Sequence, residues 1–331
     1  MPATSLNPQS RPDTDLLKGA GGGHPVFSAF PRWSGPVDMS QYSPNPLGVR
    51  TRRLFTQNMA KGAAAIPPSQ QQFFQSQWPP ASEEYFEWID LLEAVSQAHQ
   101  TFTMIELGAG YGRWLVNAAA ALRRRGHHDF RLIGVEAEPT HFQWMKVHFA
   151  ENGLDPDQHW LIEAAVATHR RGAWFTVGRP DAWYGQAVVS SPQSSFPTQR
   201  VKTVTLDSIL ARCDWVDFVD LDIQGLELEV LAAARKNLQR KVKRVHIGTH
   251  SQMIEQGLRK LFTDLGWTQL ADFSSGTTVE TPYGQASFRD GVQSWLNPRL
   301  AAEWPHRRLP LVRRVNRWWR QRLGIRERQI H

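Results

Sequence analysis

Residues 104–114 read MIELGAGYGRW. An apolar run ends in an acid, Glu106, and glycines follow at alternate positions, Gly108, Gly110 and Gly112. Glycine lets the chain turn with positive φ and lets a ligand reach the backbone. In open α/β sheets such turns stand at the carboxyl end of a strand, where ligands bind beside a topological switch point. The dinucleotide fingerprint is G-x-G-x-x-G. Here the run is G-x-G-x-G, and Arg113 takes the place of the third glycine. Glu106 would repel a pyrophosphate, whereas it suits a ligand carrying an ammonium or a sulfonium. Glu136 ends a second apolar run, 26 residues after Gly110. An acid roughly 20 residues beyond such a turn accepts hydrogen bonds from ribose hydroxyls.

S-adenosylmethionine unites an ammonium, a sulfonium and a ribose, and it is the cofactor these positions predict. The bland alternative is a plain turn between two solvated acids. A second set of residues suits the transfer itself. DLDIQG puts Asp220 and Asp222 two apart, on one face of a strand, and HIGTH puts His246 and His250 four apart at the end of another. If those strand ends are neighbours, Asp222 and His250 could meet over a transferable methyl. A hydroxyl acceptor needs a general base or a metal ion to lower its pKa. His250 could be that base, oriented by Asp222. Alternatively Asp220, Asp222 and His250 could bind a divalent ion, with Mg²⁺ suited to the oxygen ligands. The structural alternative makes Asp222 a capping acid and His246 a packed polar residue. Trp183 and Tyr184, in DAWYGQ, could stack on a flat face of the substrate or simply pack, and Gln224 is a further candidate for the substrate. TPYGQASF at 281–288 reads as another aromatic loop. With one cysteine, Cys213, there is no cysteine–histidine zinc pattern and no internal disulfide.

These residues need strands to end on and helices to turn into. SEEYFEWIDLLEAVSQAH begins with an N-cap serine and carries apolar residues at helical spacing, predicting a helix over 82–98. After it, strand and helix signals alternate: strands in FTMIEL, RLIGVEA, HWLIEAAVA, WVDFVDLD and VKRVHIGTH, helices in RWLVNAAAALRRRG, PTHFQWMKVHFAENG, VTLDSILARC, GLELEVLAAARKNLQR and SQMIEQGLRKLFTDLGW. GWTQLADFS and QASFRDGVQSWLNP read as later strands. Such alternation predicts a parallel sheet covered on both faces.

The reading divides the chain into a Pro/Gly-rich arm over 1–80, expected to be partly disordered or laid over the surface, a domain over 81–300, and a basic tail over 301–331. The net charge of +7 is uneven: residues 305–331 hold nine arginines against one glutamate, so they carry +8 and leave the rest near −1. A uniformly basic nucleic-acid-binding fold would not look like this. In PLVRRVNRWWRQRL the apolar residues form one helical stripe with arginines opposite, predicting a basic amphipathic helix. It suits an anionic membrane surface and, less well, nucleic acid; packing on the core is the bland reading. No signal peptide and no run of ~18 apolar residues is seen, so a cytoplasmic chain is expected, peripheral on the inner membrane face if the tail binds lipid.

Over about residues 101–270 the chain resembles class I S-adenosylmethionine-dependent methyltransferases and, more narrowly, the FkbM family. That family's core runs acid-x-Gly-Ala-x-x-Gly, Phe-Glu-Pro-x-Pro, Leu-Asp, Lys-x-Asp-x-Glu-Gly-x-Glu and Glu-x-His. In the same order this chain has IELGAGYG, VEAEP, VTLDSIL, DLDIQGLELEVL and HIGTH. The resemblance implies a Rossmann-like sheet of seven mostly parallel strands. It implies that Glu106, Gly108, Gly110 and Gly112 hold the methionine moiety, that Glu136 holds the ribose, and that Glu163 and Ala164 face adenine; Tyr111, Ala137 and Asp220 are further candidates for the cofactor. Asp222 matches the acid of Lys-x-Asp, and His250 the terminal histidine. Asp220 replaces the family's lysine, Gln224 its first glutamate and Gly248 the glutamate of Glu-x-His, so the active face keeps Asp222, Glu227 and His250 with its own charge pattern. Family members mostly methylate hydroxyl groups, often on sugars. The expected activity is therefore O-methylation of a glycan or glycolipid hydroxyl. Methylation of an RNA 2′-hydroxyl, or a non-catalytic adaptor at a membrane surface, are the alternatives.

Overall fold

The computed structural model describes residues 23–56, 71–192 and 196–303. The strand Phe102–Leu107 (β1) is buried along its whole length, as a strand covered on both faces must be. Its alternate side chains enter two different cores. Phe102 and Met104 pack under the helices Glu83–Ser96 (α1), Arg113–Arg124 (α2) and Pro139–Glu151 (α3). Ile105 and Leu107 face the opposite layer. That layer is built from Leu206–Leu210 (α4), Glu227–Ala233 (α5), Arg235–Lys241 (α6) and Gln252–Asp264 (α7).

The sheet continues with Phe130–Glu136 (β2), Trp160–Glu163 (β3), Val216–Leu221 (β4), Val242–Thr249 (β5), Thr268–Phe273 (β6) and Gly291–Leu296 (β7). Its seven strands lie in the order β6-β7-β5-β4-β1-β2-β3. Six run in one direction, and β7 runs against them, antiparallel to both β5 and β6. The order reverses between β1 and β4, so the crevice expected at their carboxyl ends exists. This is the predicted Rossmann-like architecture.

Several elements differ in detail from the sequence reading. HWLIEAAVA is broken at Ala164: β3 stays in the sheet, while Ala165–Val166 pairs with Thr203–Val204. The long helix expected after Gly225 is two, divided at Ala234. The expected loop at 281–288 lies in a hairpin, Thr277–Thr281 against Gly284–Phe288.

Within 1–80, residues 23–56 and 71–80 are seated on the domain. Ser34–Asp38 pairs with Gln71–Gln75, and Phe27, Phe30 and Phe55 are buried. Asn45 fastens this segment to α2: its amide donates to Asn117 at 2.7 Å, and its carbonyl accepts from Leu47 and Val49 N–H. Arg52 pairs with Glu151 of α3. The basic tail expected over 305–331 lies outside the described residues.

Candidate active site

At the β1–β4 reversal lies a cleft of about 270 Å³, floored by the glycine turn. Three local causes shape that turn. Gly108 has φ +79°, and a Cβ there would stand 1.8 Å from the carbonyl oxygen of Asp222, whose N–H donates to Leu107. The crossing strand end, as well as any ligand, keeps this position bare. Gly112 begins α2 and has no side chain with which to cap it. Glu106 supplies the cap from the strand below, accepting the N–H groups of Trp114 at 3.3 Å and Leu115 at 3.0 Å. Burial, with Asp220 beside it, pushes the Glu106 carboxyl well up.

Glu136 is clamped by backbone. Gly110 N–H donates to Oε2 at 2.6 Å and Glu138 N–H to Oε1 at 2.7 Å. Burial pushes it up to about 7. Each oxygen keeps lone-pair capacity for a hydroxyl partner.

Of the cofactor residues expected from sequence, Glu106, Gly108, Gly110 and Tyr111 line the cleft at the turn, Glu136, Ala137 and Ala164 line its far end, and Asp220 lines its floor. Gly112 and Glu163 are not among the lining residues. Gly112 packs toward Met145 and Phe149 of α3, and Glu163 is exposed at the end of β3, in register with Glu136.

Asp220 sits between two partners in register, Glu106 on β1 and His246 on β5. His246 is buried outside the cleft lining, as a packed polar residue would be. Its Nδ1 donates to Asp90 of α1 at 2.6 Å, and Asp90 also accepts from Ser294 at 2.6 Å and from Arg244 at 3.0 Å. Burial alone would lower His246, but Asp90, Asp220 and Glu87 push it up to about 9. Burial pushes Asp220 up to about 7 and Glu87, also of α1, up to about 8. Glu87 was not legible from sequence, because it borders the apolar stripe of α1 and belongs to no motif. Arg113, noted only as a missing glycine, lines the cleft too and pairs with Glu84.

Asp222, Glu227 and His250 form a second group at the cleft's edge. His250 Nδ1 lies 3.0 Å from Glu227 Oε1, and Nε2 lies 3.3 Å from Asp222 Oδ1. Burial would lower His250, but these two carboxylates push it up to about 10. Glu227, at the start of α5, is fully buried and also accepts Gly225 N–H at 2.9 Å. Asp222 is exposed, lines the cleft and accepts from Gln224 at 2.8 Å. Asp220 is not a member of this group, although burial and then the Asp222 charge both raise its carboxyl. Among the described residues, the one cluster of three able to hold a metal is Asp222, Glu227 and His250, not the expected Asp220, Asp222 and His250.

The aromatic candidates separate. Tyr184 stacks on His141 with centroids 4.1 Å apart and planes 3° apart, and its hydroxyl donates to Phe55 at 2.8 Å. Its ring closes over Gly110, so it is a wall of the cleft rather than an open platform. Trp183 lies outside the lining and stacks on the exposed Phe196. Gln224 lines the cleft.

The cleft fits S-adenosylmethionine by its donors and charges. Glu87, Glu106 and Asp220 gather at the end where an ammonium and a sulfonium would lie. Glu136 stands where the ribose would lie, and Ala164, Val166 and Phe175 offer apolar surface beyond.

A family model described as "Methyltransferase FkbM domain" matches residues 106–268. A protein of Jannaschia sp. (strain CCS1) named "Putative methyltransferase" is 30% identical over 223 residues, which cover 65% of this chain and 79% of that protein. Among solved structures, methyltransferase FkbM from Methylobacillus flagellatus KT is 14% identical with a TM-score of 0.40, over 59% of this chain and 43% of that one. The precorrin-6y C5,15-methyltransferase of Geobacter metallireducens GS-15 is 12% identical with a TM-score of 0.36, over 62% and 86%.

Proposed function

The chain belongs to the FkbM methyltransferase family and is an S-adenosylmethionine-dependent methyltransferase, and from that premise we propose that its acceptor is a hydroxyl of a sugar, in a glycan or glycolipid. The observation that supports a hydroxyl is the Asp222–His250–Glu227 group at the edge of the cofactor cleft. A hydroxyl is a poor nucleophile while protonated, so its site needs charged groups that take or displace the proton. A free amine would need none.

When bound, the cofactor would supply an electrophilic methyl whose carbon an acceptor oxygen attacks, the C–S bond breaking as the neutral thioether leaves. The residues of this chain hold and orient. Glu136 would accept from the ribose hydroxyls, its carboxyl fixed by the backbone clamp. The acids Glu87, Glu106 and Asp220 match the cofactor's positive charge, and His246 with Arg113 keeps those acids from excess mutual repulsion. Asp222, held by Gln224 at the cleft's edge, would face the acceptor with His250 paired behind it. Trp183 and Phe196 offer a ring surface in a neighbouring loop that suits a sugar face. A glycan presented at an anionic surface would suit the basic tail.

The test has two stages. Calorimetry of S-adenosylhomocysteine should give saturable binding to the wild type, weakened about 10- to 100-fold in Glu136→Ala, the worth of one or two charged hydrogen bonds. NADH should not bind. Methyl transfer from labelled cofactor to glycan extracts should then fall by about 100-fold or more in Asp222→Asn. Label appearing on amines or nucleobases instead would sink the hydroxyl reading.

A further inference from the structure

We propose that Asp222, Glu227 and His250 form a binding site for a divalent first-row transition metal ion, set beside the methyl-transfer cleft. The inference deepens the hydroxyl reading and rests on it for what the ion does.

One ligand atom from each of the three residues lies within 4.8 Å of the others, the spacing of donors around one ion. The decisive feature is Glu227. Its side chain is fully buried, and its two oxygens are used unequally. Oε1 takes His250 Nδ1 at 3.0 Å, Gly225 N–H at 2.9 Å and Ile223 N–H at 3.3 Å. Oε2 has no hydrogen-bond partner among the described residues, while His250 Nε2 meets Asp222 Oδ1 at 3.3 Å. A buried carboxylate oxygen without a partner is costly, and a cation would satisfy it. Oε2 shares its carboxyl carbon with the oxygen that meets His250, so it lies within one carboxyl width of the cluster.

Asp222 completes the group from the exposed side and lines the cleft. An ion held there would keep a coordination position open toward the acceptor. A hydroxyl bound to it would lose its proton more readily, and that proton would pass to water in the open cleft. The donor set selects the metal class. One imidazole with two carboxylates favours Mn²⁺, Fe²⁺ or Zn²⁺ over Mg²⁺, which prefers oxygen ligands and retained water.

The full chain, freed of metal by chelation, would be titrated with Mn²⁺ and free ion read by electron paramagnetic resonance. Expected are one saturable site and affinity lowered at least about tenfold in Asp222→Asn and in His250→Gln. Asp222→Asn changes an exposed side chain, so it tests the site even if the buried variants misfold. Asp220→Asn should bind as the wild type does. Mg²⁺ should displace Mn²⁺ only in large excess. No saturable Mn²⁺ site, or equal affinity in Asp222→Asn and wild type, would overturn the proposal. Metal-free transfer to a hydroxyl without Mn²⁺ binding would leave the acceptor reading standing and remove the ion. Mn²⁺ bound with only amine acceptors methylated would keep the site and remove the acceptor reading.

Discussion

Gly108 shows how one residue answers two demands. Its turn opens the backbone toward a ligand, and its missing Cβ leaves room for the Asp222 carbonyl. An alanine there would sit 1.8 Å from that oxygen at a φ of +79°. The backbone carbonyl cannot swing aside as a flexible side chain could. We therefore expect Gly108→Ala to lower unfolding free energy by about 3 kcal/mol or more, through clash and left-handed strain together. Urea denaturation would measure it. A midpoint equal to the wild type's would mean the turn can relax away from β4. The acids of the turn were legible as types and spacing. That Glu106 caps α2 was not, because a cap is usually sought just before a helix and this one comes from the strand.

At the scale of elements, α1 is tied to the sheet by charge as well as by its apolar stripe. Asp90 and Glu87 of α1 and Asp220 of β4 surround His246 of β5. The sign of the pH dependence follows. His246 is raised from 6.5 to about 9 in the folded chain, so its contribution is complete below pH 6.5 and disappears as pH rises through about 9. The acids raised by burial, Glu87, Asp220 and Glu136, lose stability in the same direction at lower pH. Wild type should therefore lose up to ~3 kcal/mol more than His246→Gln between pH 6.5 and pH 9. Chemical denaturation of both proteins across that window decides it. Parallel pH profiles would mean His246 is neutral in the folded chain. Periodicity located α1 closely, with Ser82 as its N-cap. It could not reveal this network, since residues on two strands and a helix are neighbours only after folding.

For the whole molecule, the segment before the domain is part of the site. Phe55 is buried, stacks on Trp144 of α3 with centroids 4.9 Å apart, and gives its carbonyl to Tyr184. Thr56 lines the cleft itself. The wall that Tyr184 forms over Gly110 thus depends on residues far upstream. Phe55→Ala should cost about 3–5 kcal/mol of stability and, where it still folds, loosen Tyr184. Calorimetry with S-adenosylhomocysteine should then show affinity falling by about tenfold, because the wall over Gly110 is less well held in place. Unchanged affinity in a folded variant would separate this segment from the cleft. Composition suggested a loose arm here because the segment is rich in proline, glycine, serine and glutamine. The few aromatic residues that anchor it carry no periodic signal.

Some properties of this protein follow from the chain alone. Alternating strands and helices, the glycine turn with its acid, and the second acid a strand later are local in sequence. They arise from backbone sterics and periodic burial acting over a few residues, so the fold class and the cofactor could be read directly. The order of the later motifs carried the family. What needed tertiary structure was every pairing across elements: Glu227 rather than Asp220 beside His250, Tyr184 as a wall, and Asp90 beneath His246. Parallel strands far apart in sequence bring such residues together by register. Register is set by the packing of two whole cores, which no single stretch of sequence displays.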